Sequence, residues 1–152
     1  LRQIYSEVQV RFITHETTAE EKTEEEFFRT KSTGGTTLSS GIEKAREIID
    51  EDYSDGDWDI FAWHATDGDN ASNDNQVFAH QISKLSEIAR AIILCETDTS
   101  SGSASRSPEV LSLRENIKNF FVFTLDRREG IRDILVGMLE VLKERSVANE
   151  GR

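Results

Sequence analysis

Asp67 and Thr36 are the residues of this sequence best suited to chemistry, and each stands in a turn that would present it. The segment Ala62-Trp63-His64-Ala65-Thr66-Asp67-Gly68-Asp69-Asn70 opens inside an apolar run, Trp58 to Ala65, that reads as a buried strand. An Asp-Gly turn follows where that strand should end. In an open α/β sheet, ligand and metal sites lie just beyond the carboxyl ends of strands. A carboxylate there, beside a glycine that lets the backbone turn sharply, is well placed to hold a hard cation. About thirty residues earlier, Thr33-Gly34-Gly35-Thr36-Thr37-Leu38 feeds hydroxyls through a Gly-Gly turn into a helix start. Together the two segments suggest a metal-binding recognition site rather than a catalytic centre.

Other motifs fail on spacing. A P-loop needs Gly-Lys-Ser/Thr after its first glycine, and Gly35 is followed by Gly41-Ile42 instead. No Gly-x-Gly-x-x-Gly follows any strand. An EF-hand beginning at Asp67 wants an acid or amide at position 71 and Glu at 78, where this chain has Ala71 and Phe78. His15, His64 and His80 lack zinc-ligand spacing and read as strand or helix-surface residues. Asp67, Asp69 and Asp74 imitate the late acidic motif of haloacid-dehalogenase-type phosphatases. That reading also requires an Asp-x-Asp nucleophile loop, and no strand here ends in one.

The elements that would position these residues follow from periodicity. Glu7 to Thr14 alternates Val8, Val10 and Phe12 with polar neighbours, as a strand buried mainly on one face does. The acidic stretch Glu20 to Glu26 reads as an exposed edge strand or a short helix. Ser40 with Glu43 fits a capping box for a helix whose core face carries Leu38, Ile42, Ala45 and Ile49, with Ile48 alongside. It stops near Tyr53-Ser54-Asp55-Gly56. A second helix carries Val77, Phe78, Ile82, Leu85 and Ile88, and Arg90 to Glu96 is another buried strand. Thr97 to Ser107 is a Ser/Thr-rich surface loop, Pro108 opens a helix through Leu113, and Asn119 to Leu125 is a strand. A last helix has Ile131, Ile134, Leu135, Met138, Leu139 and Leu142 as its core face. Strands alternating with helices predict an α/β fold, a Rossmann-like doubly wound, mostly parallel sheet with helices on both faces.

With 152 residues and 36% hydrophobic content, the chain suits one domain with a real core, 1–152. A net charge of −11 argues against a nucleic-acid or anionic-membrane partner, since phosphate binding needs clustered Lys and Arg. The single cysteine, Cys95, rules out an internal disulfide framework and reads as a buried strand residue. With no apolar span and no signal peptide, a cytoplasmic protein without membrane contact is expected.

The Gly-Gly-Thr turn and the Thr-Asp-Gly turn resemble two elements of the von Willebrand factor A domain. Its metal-ion-dependent adhesion site takes Asp-x-Ser-x-Ser after the first strand, a Thr from a Gly-Gly-Thr-like turn, and an Asp from a Thr/Ser-Asp-Gly turn. The resemblance implies Thr36 and Asp67 as metal ligands, with Asp69 behind them, and Mg2+ as the ion. Magnesium wants octahedral oxygen ligands and keeps waters, so an open position can take an acidic residue from a partner. More of the chain, namely Val8 to His15, Glu26-Phe27-Phe28, Thr33 to Thr36, the strand from Trp58, Thr66 to Asn70 and the end from Asn119, is similar to the YhbH/YeaH group. That group implies association with a PrkA-type serine protein kinase, in stress or sporulation pathways, and no enzymatic activity of its own. A magnesium-dependent phosphatase-like hydrolase and a metal-free scaffold are the alternatives.

One element of the A-type pattern is missing. The Asp-x-Ser-x-Ser strand and its helix should precede Leu1, so the central first strand is not expected within residues 1–152. Asp98-Thr99-Ser100-Ser101-Gly102-Ser103 is no substitute, because position 102 is Gly and the segment follows a different strand. The chain by itself is therefore expected to bind magnesium poorly, and to be unstable, oligomeric or strand-swapped.

Overall fold

The computed structural model describes residues 5–31, 37–97 and 104–125, with helical positions at 132, 136–137, 139–140 and 143–144. Its centre is a three-stranded parallel sheet of β3 (Ile60–Thr66), β4 (Ala89–Glu96) and β5 (Phe120–Thr124), ordered β3-β4-β5. The register sets three rows of partners on one face: Ala62, Ile92 and Phe120; His64, Leu94 and Val122; Thr66, Glu96 and Thr124. Over this face lie α2 (Leu38–Asp52) on β3, α3 (Asn75–Ser86) on β4 and α4 (Pro108–Asn116) on β5. Leu38, Ile42, Phe78, Ile82, Leu85, Ile92, Leu94, Val110 and Phe120 form one buried core between helices and strands. Burying such side chains stabilises by about 1.5–3 kcal/mol each.

The helix faces follow the expected spacing. On α2, Leu38, Ile42 and Ile48 are buried and Ala45 and Ile49 half-buried. On α3, Phe78, Ile82 and Leu85 face the core, whereas Val77 is exposed and Ile88 lies beyond the helix. Pro108 opens α4 at its first turn, where a missing N–H costs nothing, and the Ser107 hydroxyl accepts from the Val110 amide at 3.3 Å.

A helical residue also meets the opposite sheet face, at β5. A Cβ placed on Gly137 would sit 3.0 Å from the Phe123 ring, which stands in the Ala65, Cys95, Phe123 row. Leu139, expected in the core, is 60% exposed. Two residues past Gly137 is about 200° around a helix, which turns Leu139 away from the sheet. The other apolar positions named for that helix lie outside the described residues.

Several expectations need correction. Strand β1 spans only Phe12–His15, and Val10, expected to be buried, is exposed. It pairs antiparallel with β2 (Ala19–Lys22) in a hairpin separate from the parallel sheet. The acidic stretch is both alternatives in turn: Glu20 and Glu21 lie on exposed positions of β2, then α1 (Glu24–Arg29) begins with Thr23 and Glu26 in a capping box. The box expected at Ser40 and Glu43 does not form, because α2 starts three residues earlier, with Thr37 at the cap position, and Ser40 donates back to the Thr37 carbonyl at 2.8 Å. β3 starts at Ile60, and Trp63 is 56% exposed because it stands on the sheet face turned away from α2 and α3, on a strand that among the described residues pairs with β4 alone. What stands is a mixed α/β fold with a three-stranded parallel sheet flanked by helices. Among the described residues the strand order of this sheet runs in one direction, β3-β4-β5.

The hairpin is fastened to the end of α2 by Arg11. Its guanidinium reaches the two carboxylate oxygens of Glu21 at 2.5 and 2.9 Å and that of Asp52 at 2.5 Å. No helix among the described residues is long and apolar enough to cross a membrane.

Candidate functional site

The carboxyl end of β3 carries Asp67, exposed, on a turn whose shape is fixed from beneath. Gly68 has φ +88°, a left-handed conformation that favours glycine. A Cβ there would also lie 2.6 Å from Glu96 Oε1. Glu96 closes β4, is fully buried, and accepts from the Ser105 amide at 3.2 Å and the Ser105 hydroxyl at 2.5 Å. Two bonds inside the turn complete it: the Gly68 amide donates to Thr66 Oγ1 and the Asp69 amide to Asp67 Oδ1, each at 3.1 Å. The second is an Asx-turn, the local bond that makes Asp a turn residue.

The loop then reaches across to α2. The Leu38 amide donates to Asn70 Oδ1 at 3.1 Å, and the Ser39 amide to Asp74 Oδ2 at 3.0 Å. The Ser39 hydroxyl donates to Asp74 Oδ1 at 2.5 Å. The Thr37 amide donates to the Glu16 carbonyl at 3.3 Å, which joins the same helix start to the β1–β2 turn. Thr36 itself, with Thr33, Gly34 and Gly35, lies outside the described residues, as does Asp98 to Ser103.

Between the hairpin and β3, two imidazoles stack. His15 and His64 have ring centroids 4.4 Å apart, and a Cβ on Gly41 of α2 would meet both at 3.2 Å. His64 is buried, and burial pushes its pKa down to about 3, with the positive charge of a protonated His15 acting in the same direction. Burial lowers His15 as well, opposed by its contact with the Ala65 carbonyl and by the charge of Asp67. His15 Nδ1 and His64 Nε2 are buried with no hydrogen-bond partner among the described residues. His80 is exposed on α3, as its pattern predicts. Cys95 is buried and its thiol is raised by that burial, which leaves it unreactive.

Asp67 offers one exposed carboxylate whose Oδ1 also serves the Asx-turn, and Asp69 beside it is exposed too. Both are hard oxygen donors, the type magnesium takes. Among the described residues, no three His, Cys, Asp or Glu side chains come together as a metal group. Asp74, the third acid of the loop, points away into the α2 cap. The described residues thus offer two neighbouring exposed carboxylates of the donor type that magnesium takes.

Three features of this region were not legible as motifs: the buried Glu96, the stacked histidines and the Asp74 bridge. A charge closing an otherwise apolar strand is the signal that marks Glu96.

Residues 1–142 match the family described as "Protein of unknown function (DUF444)". The chain belongs to this family. It is 38% identical over 143 residues to a UPF0229 protein of Ruminiclostridium cellulolyticum, covering 92% of this chain and 35% of the relative. A UPF0229 protein of Clostridium perfringens is 33% identical over 150 residues, covering 96% and 37%. One from Pseudomonas putida is 43% identical over 84 residues, covering 55% and 20%. The chain therefore spans about a third of the length of the first two relatives. No solved structure matches.

Proposed function

We propose that this member of the DUF444 family is a magnesium-dependent protein-interaction module of the von Willebrand factor A type. Thr36 and Asp67 serve as ligands, and Asp69 supports them through water. The observation that carries the reading is the bonding of the Asp67 loop to the start of α2. The Leu38 and Ser39 amides, directly after the segment that carries the Gly-Gly-Thr motif, bond to the Asn70 and Asp74 side chains of the loop that follows Asp67. The charge fits as well, since a surface of net −11 favours a cation and disfavours nucleic acid. In a longer protein an upstream Asp-x-Ser-x-Ser strand would complete the ligand set and fill the space beside β3. Bound magnesium would supply an open coordination position for an acidic side chain of a partner, for which a PrkA-type serine protein kinase is the candidate.

The test uses the full-length protein and its Asp67→Ala variant, with kinase binding measured in magnesium and in chelator. Binding that needs both magnesium and Asp67 is the expected result. Binding indifferent to Asp67 sinks the reading, and turnover of generic phosphoesters that depends on Asp67 supports the phosphatase-like alternative instead.

A further inference from the structure

We propose that Asn70 and Asp74 are positioning residues that cap α2 from across the site and so hold the start of that helix against the Asp67 turn. The inference rests on the magnesium-dependent reading above.

The first N–H groups of a helix have no partner within it, and the residue at the cap position ordinarily accepts from one of them. Thr37 occupies that position on α2, yet its side chain makes no cap bond. Its work passes to Asn70 and Asp74, whose side chains take the Leu38 and Ser39 amides from 32 and 35 residues downstream. Asp74 forgoes a local role to do so. It stands at the cap position of α3, but its carboxylate makes no bond to that helix. Both of its oxygens go to Ser39, and at 6% exposure they are withdrawn from solvent and from any ion. A buried carboxylate is costly unless it is hydrogen-bonded, so this geometry is fixed by its partners. It also sits at the positive end of the α2 dipole, where negative charge is stabilised.

Asn70 is held in turn. Its Nδ2 donates to Asn75 Oδ1 at 2.8 Å, which leaves Oδ1 facing the Leu38 amide. The Asp74 carbonyl accepts from the Phe78 amide at 2.8 Å and its amide donates to the Ala71 carbonyl at 2.8 Å. The loop after Asp67, the start of α2 and the first turn of α3 are thereby one unit, and whatever moves one moves the others.

The experiment measures magnesium affinity by calorimetry, and hydrogen exchange at the Leu38 and Ser39 amides, in full-length protein. The variants are Asp74→Ala, Asp74→Asn and Asp67→Ala. Outer partners that orient metal ligands typically contribute about 10–100-fold in affinity, so Asp74→Ala should weaken magnesium about tenfold or more and deprotect the Ser39 amide. Asp74→Asn keeps an acceptor for that amide and a donor for the hydroxyl, so it should restore affinity to within about threefold and restore protection. An Asp74→Ala protein with deprotected Ser39 and wild-type affinity overturns the positioning role. An Asp74→Asn protein as weak as Asp74→Ala, with Ser39 still protected, overturns it too, since the carboxylate would then be acting as a ligand. Wild type without saturable binding, or unaffected by Asp67→Ala, removes the magnesium reading and the positioning role with it. The two failures are distinguished by which variant leaves the isotherm unchanged.

Discussion

Gly68 and His64 show how single positions shape the carboxyl end of β3. Gly68 combines a positive φ with a backbone lying against a buried carboxylate, so an added methyl meets both strain and Glu96. Gly68→Ala is expected to cost about 2 kcal/mol or more, read as a lower urea midpoint with an unchanged slope. His64 acts through protons. Unfolded, its imidazole titrates near 6.5; folded, burial holds it down to about 3. Above 6.5 both states are neutral and the contribution is fully present. As pH falls, the unfolded chain gains a proton that the folded chain refuses, and stability declines by about 1.4 kcal/mol per pH unit. The burial of His15 works in the same direction. Urea unfolding from pH 7.5 to 5 should therefore show a steeper loss in wild type than in His64→Leu, and equal slopes would clear His64 of the effect.

Whole helices and strands were more legible than their ends. Phe78, Ile82 and Leu85 at helical spacing mark the buried face of α3 outright, and the unbroken apolar run before Glu96 marks β4 as covered on both faces. Capping was legible only where it is local. Pro108 marks the start of α4 directly, and the structure adds Ser107 before it as the cap, whereas Ser40 and Glu43 fit a box that α2 does not use. The reason is that the acceptors of α2 come from Asn70 and Asp74, and no window of sequence around Leu38 contains them. The same holds for the site. Asp67 was visible from its Asp-Gly turn, but Glu96 beneath it is brought there by strand register alone. Because the α4 cap is local, its cost should be local too. Ser107→Ala is expected to lose about 1 kcal/mol in urea unfolding and to raise hydrogen exchange at the Val110 amide, leaving α2 and α3 as protected as before.

At the scale of the molecule, the notable fact is that two sheets are present where one continuous sheet would remove edges. Among the described residues β3 pairs on one side only, and β1 and β2 pair only with each other. The hairpin and β3 approach through side chains: the His15 and His64 rings stack, and His15 Nε2 lies 3.5 Å from the Ala65 carbonyl. That distance is too long for a strong hydrogen bond, so the contact does not replace a backbone ladder. An unpaired strand offers its N–H and C=O groups to any other strand, and β3 adds an exposed Trp63 beside them. Charge repulsion from a net −11 opposes association at low salt and is screened beyond about 8 Å at physiological salt. The 152-residue chain is therefore expected to self-associate as salt rises, measured by light scattering coupled to size exclusion. Trp63→Lys, which puts a charge on the open edge, should hold it monomeric at the same salt. If wild type stays monomeric at every concentration and salt tested, the edge of β3 is closed in solution, and the proposal that another strand belongs beside it loses its physical ground.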